Sequence, residues 1–272
     1  MNKLLIALIL IPNLAIGQVS KVWETSVDLE VPESVKYYDK ENCIFVSNVS
    51  GKPSEIDGNG FISKLSADGK VIELKWVDEL NAPKGMAIKE GLLYVSDIDY
   101  LVIIDIKKAA IVRKIHQPQA KFLNDVTITH SGDILISDSS TSVIYKLDGD
   151  ELTVWLKNTD WGRINGLYAE KKHVLLGTNN NIVKIDVATK QTEIFLETGG
   201  QADGIEADGQ GGYYYSFWKG ELYRYVPGKE PVQLLNTTEQ NVQCADIGFN
   251  PHTNEILVPT FFANQVVSYK AR

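Results

Sequence analysis

The chain has 272 residues, 44% of them hydrophobic, with 27 Lys and Arg against 35 Asp and Glu and a formal net charge of -8. That balance argues against nucleic acid or an anionic membrane as a partner, since both need a dense cationic patch, and no run of Lys or Arg supplies one. The only two cysteines, Cys43 and Cys244, leave one disulfide or two thiols to choose between.

Residues 1–17 (MNKLLIALILIPNLAIG) place Lys3 before an apolar run from Leu4 to Ile16 and end on the small residues Ala15 and Gly17. This is the layout of a cleavable secretory signal. A membrane helix needs about 20 apolar residues, and Pro12 and Asn13 interrupt this shorter run, so an uncleaved anchor is the lesser alternative. The expectation is a secreted or periplasmic protein, residues 18–272 forming one domain, with no membrane insertion after signal cleavage. No cysteine at the cleavage point supports a lipid anchor.

Six short segments then repeat a pattern: a polar or small pair, an apolar residue and a strand-like alternation. They are Glu33-Ser34-Val35, Lys84-Gly85-Met86, Asn124-Asp125-Val126, Asn165-Gly166-Leu167, Asp203-Gly204-Ile205 and Ala245-Asp246-Ile247, at intervals of 51, 40, 41, 38 and 42 residues. Such spacing suits one four-stranded unit per repeat. In the third unit VTITHSG, DILISDSS, SVIYKLDGD and ELTVWL read as an antiparallel meander. Asp68-Gly69, Ser131-Gly132, Asp148-Gly149 and Asp208-Gly209 are the predicted hairpin turns. The long first interval places an insertion around Gly51 to Gly60. After the sixth segment only three strands fit, so the strand-like Val22 to Leu29 is expected to supply the fourth and close the ring. The fold class predicted is all-β, a six-bladed β-propeller of four-stranded antiparallel blades, with an open β-sandwich or β-helix as the rival. In that frame the two cysteines lie about one strand length apart, roughly 17 Å, too far for a disulfide, and two buried free thiols are expected.

In a propeller the innermost strands line a central channel, so equivalent positions converge. The first residues of the six pairs are Glu33, Lys84, Asn124, Asn165, Asp203 and Ala245. Two carboxylates and two carboxamides on one axis offer oxygen donors, which suit a hard cation: Ca²⁺ first, with Mg²⁺, Mn²⁺ or Zn²⁺ as further candidates. Asn-Gly and Asp-Gly are also common turn pairs, so any single match could be only a turn.

Over essentially the whole mature chain the sequence resembles the SMP-30/gluconolactonase/LRE-like family of six-bladed propellers. The likeness rests on Pro32-Glu33, LNDVTI, INGLYA and ADGIEA, in that order. It implies Glu33, Asn165 and Asp203 as cation ligands, Asn124 as a ligand of the cation or of its water and substrate, and Asp203 as catalytic base or nucleophile. The chain departs from the family at Ser34-Val35-Lys36, where a Gly-Pro and a tryptophan are usual. It departs again at Val46 to Asn48, where an aspartate is usual. Those departures leave the substrate open. Lys84 and Trp161 are assigned to the substrate pocket by position alone.

His116, His130, His173 and His252 share no repeat position or ligand spacing, and neither a GxSxG elbow nor a P-loop occurs. Tyr213 to Tyr215 with Phe217 and Trp218 read as a blade strand ahead of a sugar-stacking platform. The function expected is metal-dependent hydrolysis of a small ester or lactone. The alternative is a non-catalytic binding or scaffold propeller whose cation ties the blades together.

Overall fold

The computed structural model describes residues 19–26 and 29–271. The expected signal segment lies outside the described residues. The first strand, β1 (Val19–Glu24), is followed by blade 1: β2 (Pro32–Tyr38), β3 (Cys43–Asn48), β4 (Gly60–Ser66) and β5 (Val71–Leu80). Blade 2 is β6 (Pro83–Lys89), β7 (Leu92–Asp97), β8 (Tyr100–Asp105) and β9 (Ala110–His116). Blade 3 is β10 (Leu123–Ile128), β11 (Ile134–Asp138), β12 (Val143–Asp148) and β13 (Glu151–Lys157). Blade 4 comprises β14 (Leu167–Ala169), β15 (His173–Gly177), β16 (Asn181–Asp186) and β17 (Thr192–Glu197). Blade 5 comprises β18 (Ile205–Ala207), β19 (Tyr213–Phe217), β20 (Glu221–Tyr225) and β21 (Val232–Asn236). Blade 6 holds β22 (Gly248–Asn250), β23 (Glu255–Pro259) and β24 (Val266–Ala271). Its fourth strand is β1, which pairs antiparallel with β24 from Val19 opposite Ala271 to Glu24 opposite Val267.

The six-bladed propeller is therefore the observed fold, closed by the N-terminal strand as expected. The closing strand is Val19–Glu24, ending before the predicted stretch does, because the chain leaves the ladder at Thr25, whose amide still reaches the carbonyl of Val266. The predicted turns hold positive φ at Gly69, Gly132, Gly149 and Gly209 (84, 91, 59 and 70°). The insertion of blade 1 is the β3–β4 connection.

What drives the ring shut is a period-two pattern buried on both faces. Along β3, Cys43 and Phe45 pack towards blade 2, while Ile44 and Val46 pack towards blade 6. Along β15, Val174 and Leu176 face blade 3, and Leu175 faces blade 5. Middle strands thus read as continuous apolar runs, as two-sided burial requires. Each of the six junctions between adjacent blades carries its own buried apolar cluster. Cys43 lies at the junction of blades 1 and 2 and Cys244 at that of blades 5 and 6, both buried and unbridged, as the sequence predicted.

Candidate functional site

The six anchor pairs fall at the N-terminal ends of the inner strands. Gly166 and Gly204 in them are not turn glycines. Adjacent inner strands crowd together near the axis, so a Cβ on Gly166 would lie 2.1 Å from the carbonyl oxygen of Asp203, and one on Gly204 would lie 2.3 Å from the Ile247 amide nitrogen. Neither glycine is among the positive-φ residues. In the anchors Asn165-Gly166 and Asp203-Gly204 the glycine therefore reports close approach of neighbouring blades, unlike the positive-φ turn glycines of Asp68-Gly69, Asp148-Gly149 and Asp208-Gly209.

That crowding brings the first residues of five pairs to one cavity of about 360 Å³, lined by Glu33, Lys84, Asn124, Asn165 and Asp203. Trp161 is placed elsewhere. It ends a short 3-10 turn whose N-cap, Asn158, accepts from the Asp160 amide at 3.0 Å, and its indole packs with Ile164 and Leu167 between blades 3 and 4. The rest of the cavity wall comes from loops that the repeats did not mark: Pro53, Phe122, Arg163, Gln201, Trp218, Phe261 and Phe262. Trp218 follows directly after β19, so the aromatic run is a blade strand through Phe217 and a cavity wall at its last residue.

Asn165 Nδ2 donates to Asp203 Oδ1, and Asn124 Nδ2 donates to Ser139 Oγ at 3.0 Å. Both carboxamide oxygens are thereby turned away from those bonds. Asp203 Oδ2 and Glu33 Oε2 are buried without a hydrogen-bond partner. An orphaned buried carboxylate oxygen is costly unless a positive group meets it. Burial, then the neighbouring Asp203 and Asp246 charges, drive the Glu33 carboxyl well above the usual range against the pull of Lys84. Burial and Asp246 push Asp203 up to about 8 although Asn165 opposes them. Lys84 is equally confined: burial lowers its ammonium to about 8, opposed by the Glu33 and Asp97 carboxylates. Its Nζ donates to the carbonyl of Ala82 at 2.7 Å and sits 4.4 Å from the centroid of the Phe122 ring. No ion pair joins it to Glu33 among the described residues.

Two carboxylate and two carboxamide oxygens from four blades fit a hard cation, and the two orphaned atoms are the ones such an ion would satisfy. Among the described residues no group of three or more His, Cys, Asp or Glu side chains has metal-holding geometry, so any ion here would need the asparagines as ligands.

A second cavity, of about 210 Å³, lies further along the same inner strands and contrasts with the first. There the polar groups are paired. Lys36 Nζ meets Glu206 Oε1 at 2.8 Å, Asp125 accepts from the amides of Val126 and Leu167 at 2.6 Å each, and Ser34 Oγ donates to Asp246 Oδ2. These bonds tie blade 1 to blades 5 and 6 and blade 3 to blade 4.

No protein-family model matches the sequence, and no curated protein matches it. Solved structures do. A streptogramin B lyase superposes with a TM-score of 0.64 at 12% identity, covering 93% of this chain and 97% of that one. The fold is what they share. A catalytically inactive His-to-Ala variant of virginiamycin B lyase from Staphylococcus aureus, solved with quinupristin, gives 0.63 at 12% identity over 94% and 99%. None of the four histidines of this chain lines the central cavity.

Proposed function

We propose that the chain is a metal-dependent hydrolase of a small ester or lactone, akin to the SMP-30/gluconolactonase/LRE-like propellers, acting at the cavity around Asp203. The observation that carries this reading is the pair of buried, unpartnered carboxylate oxygens, Glu33 Oε2 and Asp203 Oδ2, beneath a cavity large enough for a small molecule. Glu33, Asn124, Asn165 and Asp203 would hold the ion. A divalent cation bound there, Ca²⁺ before Mg²⁺, Mn²⁺ or Zn²⁺, supplies Lewis-acid polarisation of the carbonyl.

The side chains do the rest. Asn165 fixes Asp203 by bonding Oδ1, which leaves Oδ2 to take a proton from the attacking water or to attack the carbonyl carbon itself. In the first course the acyl–oxygen bond then breaks and the proton passes from Asp203 to the departing alkoxide; in the second the alkoxide leaves an acyl–Asp203 anhydride and takes its proton from a water, whose hydroxide cleaves the anhydride, and both courses end in an acid and an alcohol. Lys84, clamped by Ala82 and Phe122, presents its ammonium to the charge that develops on the carbonyl oxygen, which is worth most in a buried site. Secretion to the periplasm or beyond rests on the N-terminal sequence pattern alone.

A scaffold propeller with an enclosed structural ion would leave no ligand-sized space above the carboxylates. A lyase relying on histidine, as the inactive variant of the structural neighbour suggests for that protein, finds no histidine at this cavity. The test is hydrolysis of a panel of sugar, aliphatic and aryl lactones with each cation and with EDTA. Turnover that needs a cation and drops by about 10²–10⁴ in Asp203→Ala supports the proposal. Turnover undiminished in EDTA, or retained in Asp203→Ala, contradicts it.

A further inference from the structure

The wall above the carboxylates is divided by blade. Blades 2 and 4 supply a cation each to a ring that precedes the inner strand of blade 3: Lys84 Nζ lies 4.4 Å and Arg163 Cζ 5.8 Å from the Phe122 centroid. Arg163 is exposed and, among the described residues, makes no ion pair, so its guanidinium is a free, bidentate donor at the cavity mouth. On the facing side, blades 5 and 6 supply an aromatic wall. Trp218 meets Phe261 and Phe262 edge-on at 5.3 and 6.0 Å, and the two phenylalanines meet at 4.8 Å.

Two features mark that wall as a binding surface. Trp218 is 38% and Phe262 59% exposed, an apolar area that folding leaves in water. Phe261 is held at φ 49°, a left-handed conformation that a bulky residue adopts only when its surroundings enforce it, and such strain clusters at ligand sites. Beside the wall, Gln201 Nε2 is a buried donor without a partner.

We infer that this cavity takes an amphiphilic anion: a molecule with a carboxylate or similar group at the Arg163 side and an aromatic or bulky apolar group against Trp218, Phe261 and Phe262. The reacting carbonyl would lie between them over Asp203, a detail that rests on the hydrolytic reading. Polyhydroxylated sugar lactones lack both ends and are poor occupants of such a wall.

The experiment is a calorimetric titration of the purified chain, with Ca²⁺ present, using 4-phenylbutanoate, butanoate and 4-phenylbutanamide. The ring-bearing acid is expected to bind about tenfold more tightly than either partial analogue. Arg163→Ala should erase its advantage over the amide, Arg163→Lys should restore part of it, and Trp218→Ala should erase its advantage over butanoate. Melting temperatures of the variants check that each is folded. Equal binding of acid and amide, an affinity unchanged in Arg163→Ala, or no binding of any of the three overturns the inference. Preferential binding of the acid by a chain that hydrolyses no lactone would sink the hydrolase proposal and leave the ligand class standing.

Discussion

Asn165 and Asp203 stand at the same position of adjacent blades, and the carboxamide of one donates to Oδ1 of the other while Oδ2 is left buried and unpaired. One bond thus aims the carboxylate, and the remaining oxygen is what a cation or a water must meet. Asn165→Leu should keep the fold while lowering kcat/KM about 10²-fold and weakening Ca²⁺ binding about tenfold, the loss of one well-placed polar contact in each case. A role in packing alone would move the melting temperature and leave kcat/KM and Ca²⁺ affinity where they were.

Gly204 is required by contact with blade 6. Gly204→Ala brings a Cβ to 2.3 Å from the Ile247 amide nitrogen, and the blades must separate to accept it. Overpacking of this kind costs about 1–3 kcal/mol, read as a lowered denaturant midpoint. Gly209→Ala has open space around its Cβ but strains a residue at φ 70°, so its cost should be near 1 kcal/mol.

An aromatic residue of the closing strand helps to clasp the ring. Trp23 on β1 donates from Nε1 to Glu255 Oε2 at 3.0 Å and covers Gly69 of blade 1, where a Cβ would lie 2.2 Å from the indole. Trp23→Ala is expected to destabilise the chain by about 3 kcal/mol, the lower end for removing a large aromatic because the ring is only half-buried. Trp23→Phe should cost less than half as much, since Ser268 still donates to Glu255 at 2.8 Å. Chemical denaturation of the two variants side by side measures both.

Asp208 offers a pH handle away from the candidate site. Burial would raise its pKa, but the amides of Gln210 and Gly212, at 2.7 and 2.8 Å, and the Arg224 guanidinium outweigh burial and hold it below the ordinary aspartate value of 3.8. A depressed folded pKa gives stability that is present above the unfolded value and lost as pH falls through the folded one. Asp208→Asn keeps an oxygen for the two amides and removes the charge, so it should destabilise the chain by about 1.5–3 kcal/mol at pH 7. The gap to wild type should close below pH 3.8 and stay constant above about pH 5, as urea unfolding at stepped pH would record.

Much of the fold is legible in the sequence. The six anchors mark blades because inner strands must repeat, and counting strands after Ala245 points to Val22 to Leu29 for the missing one, a stretch that overlaps β1 at residues 22–24. Glu33, Lys84, Asn124, Asn165 and Asp203 were found because equivalent inner-strand positions meet at one axis. Arg163, Gln201, Phe261 and Phe262 were not, since they stand on connections whose length and composition differ from blade to blade. Trp161, assigned to the pocket by position alone, packs instead with Ile164 and Leu167 in the cluster between blades 3 and 4, a direction that its place in the sequence does not give. The anchor pairs are legible as repeats, but the reason for Gly166 and Gly204 is not, because it lies in a neighbouring blade: a Cβ at either would lie within 2.3 Å of that blade's backbone. Lys36 is not singled out by the repeats, yet it pairs with Glu206 of blade 5 at 2.8 Å along the pore.

The most direct test is a Ca²⁺ titration of the wild-type chain and of Glu33→Gln, Asp203→Asn and Asp208→Asn, followed by calorimetry. One site per chain in the wild type, weakened at least tenfold in the first two variants and unchanged in the third, is the predicted result. No Ca²⁺ binding by the wild type, or equal binding in all four proteins, would contradict a cation held by Glu33 and Asp203.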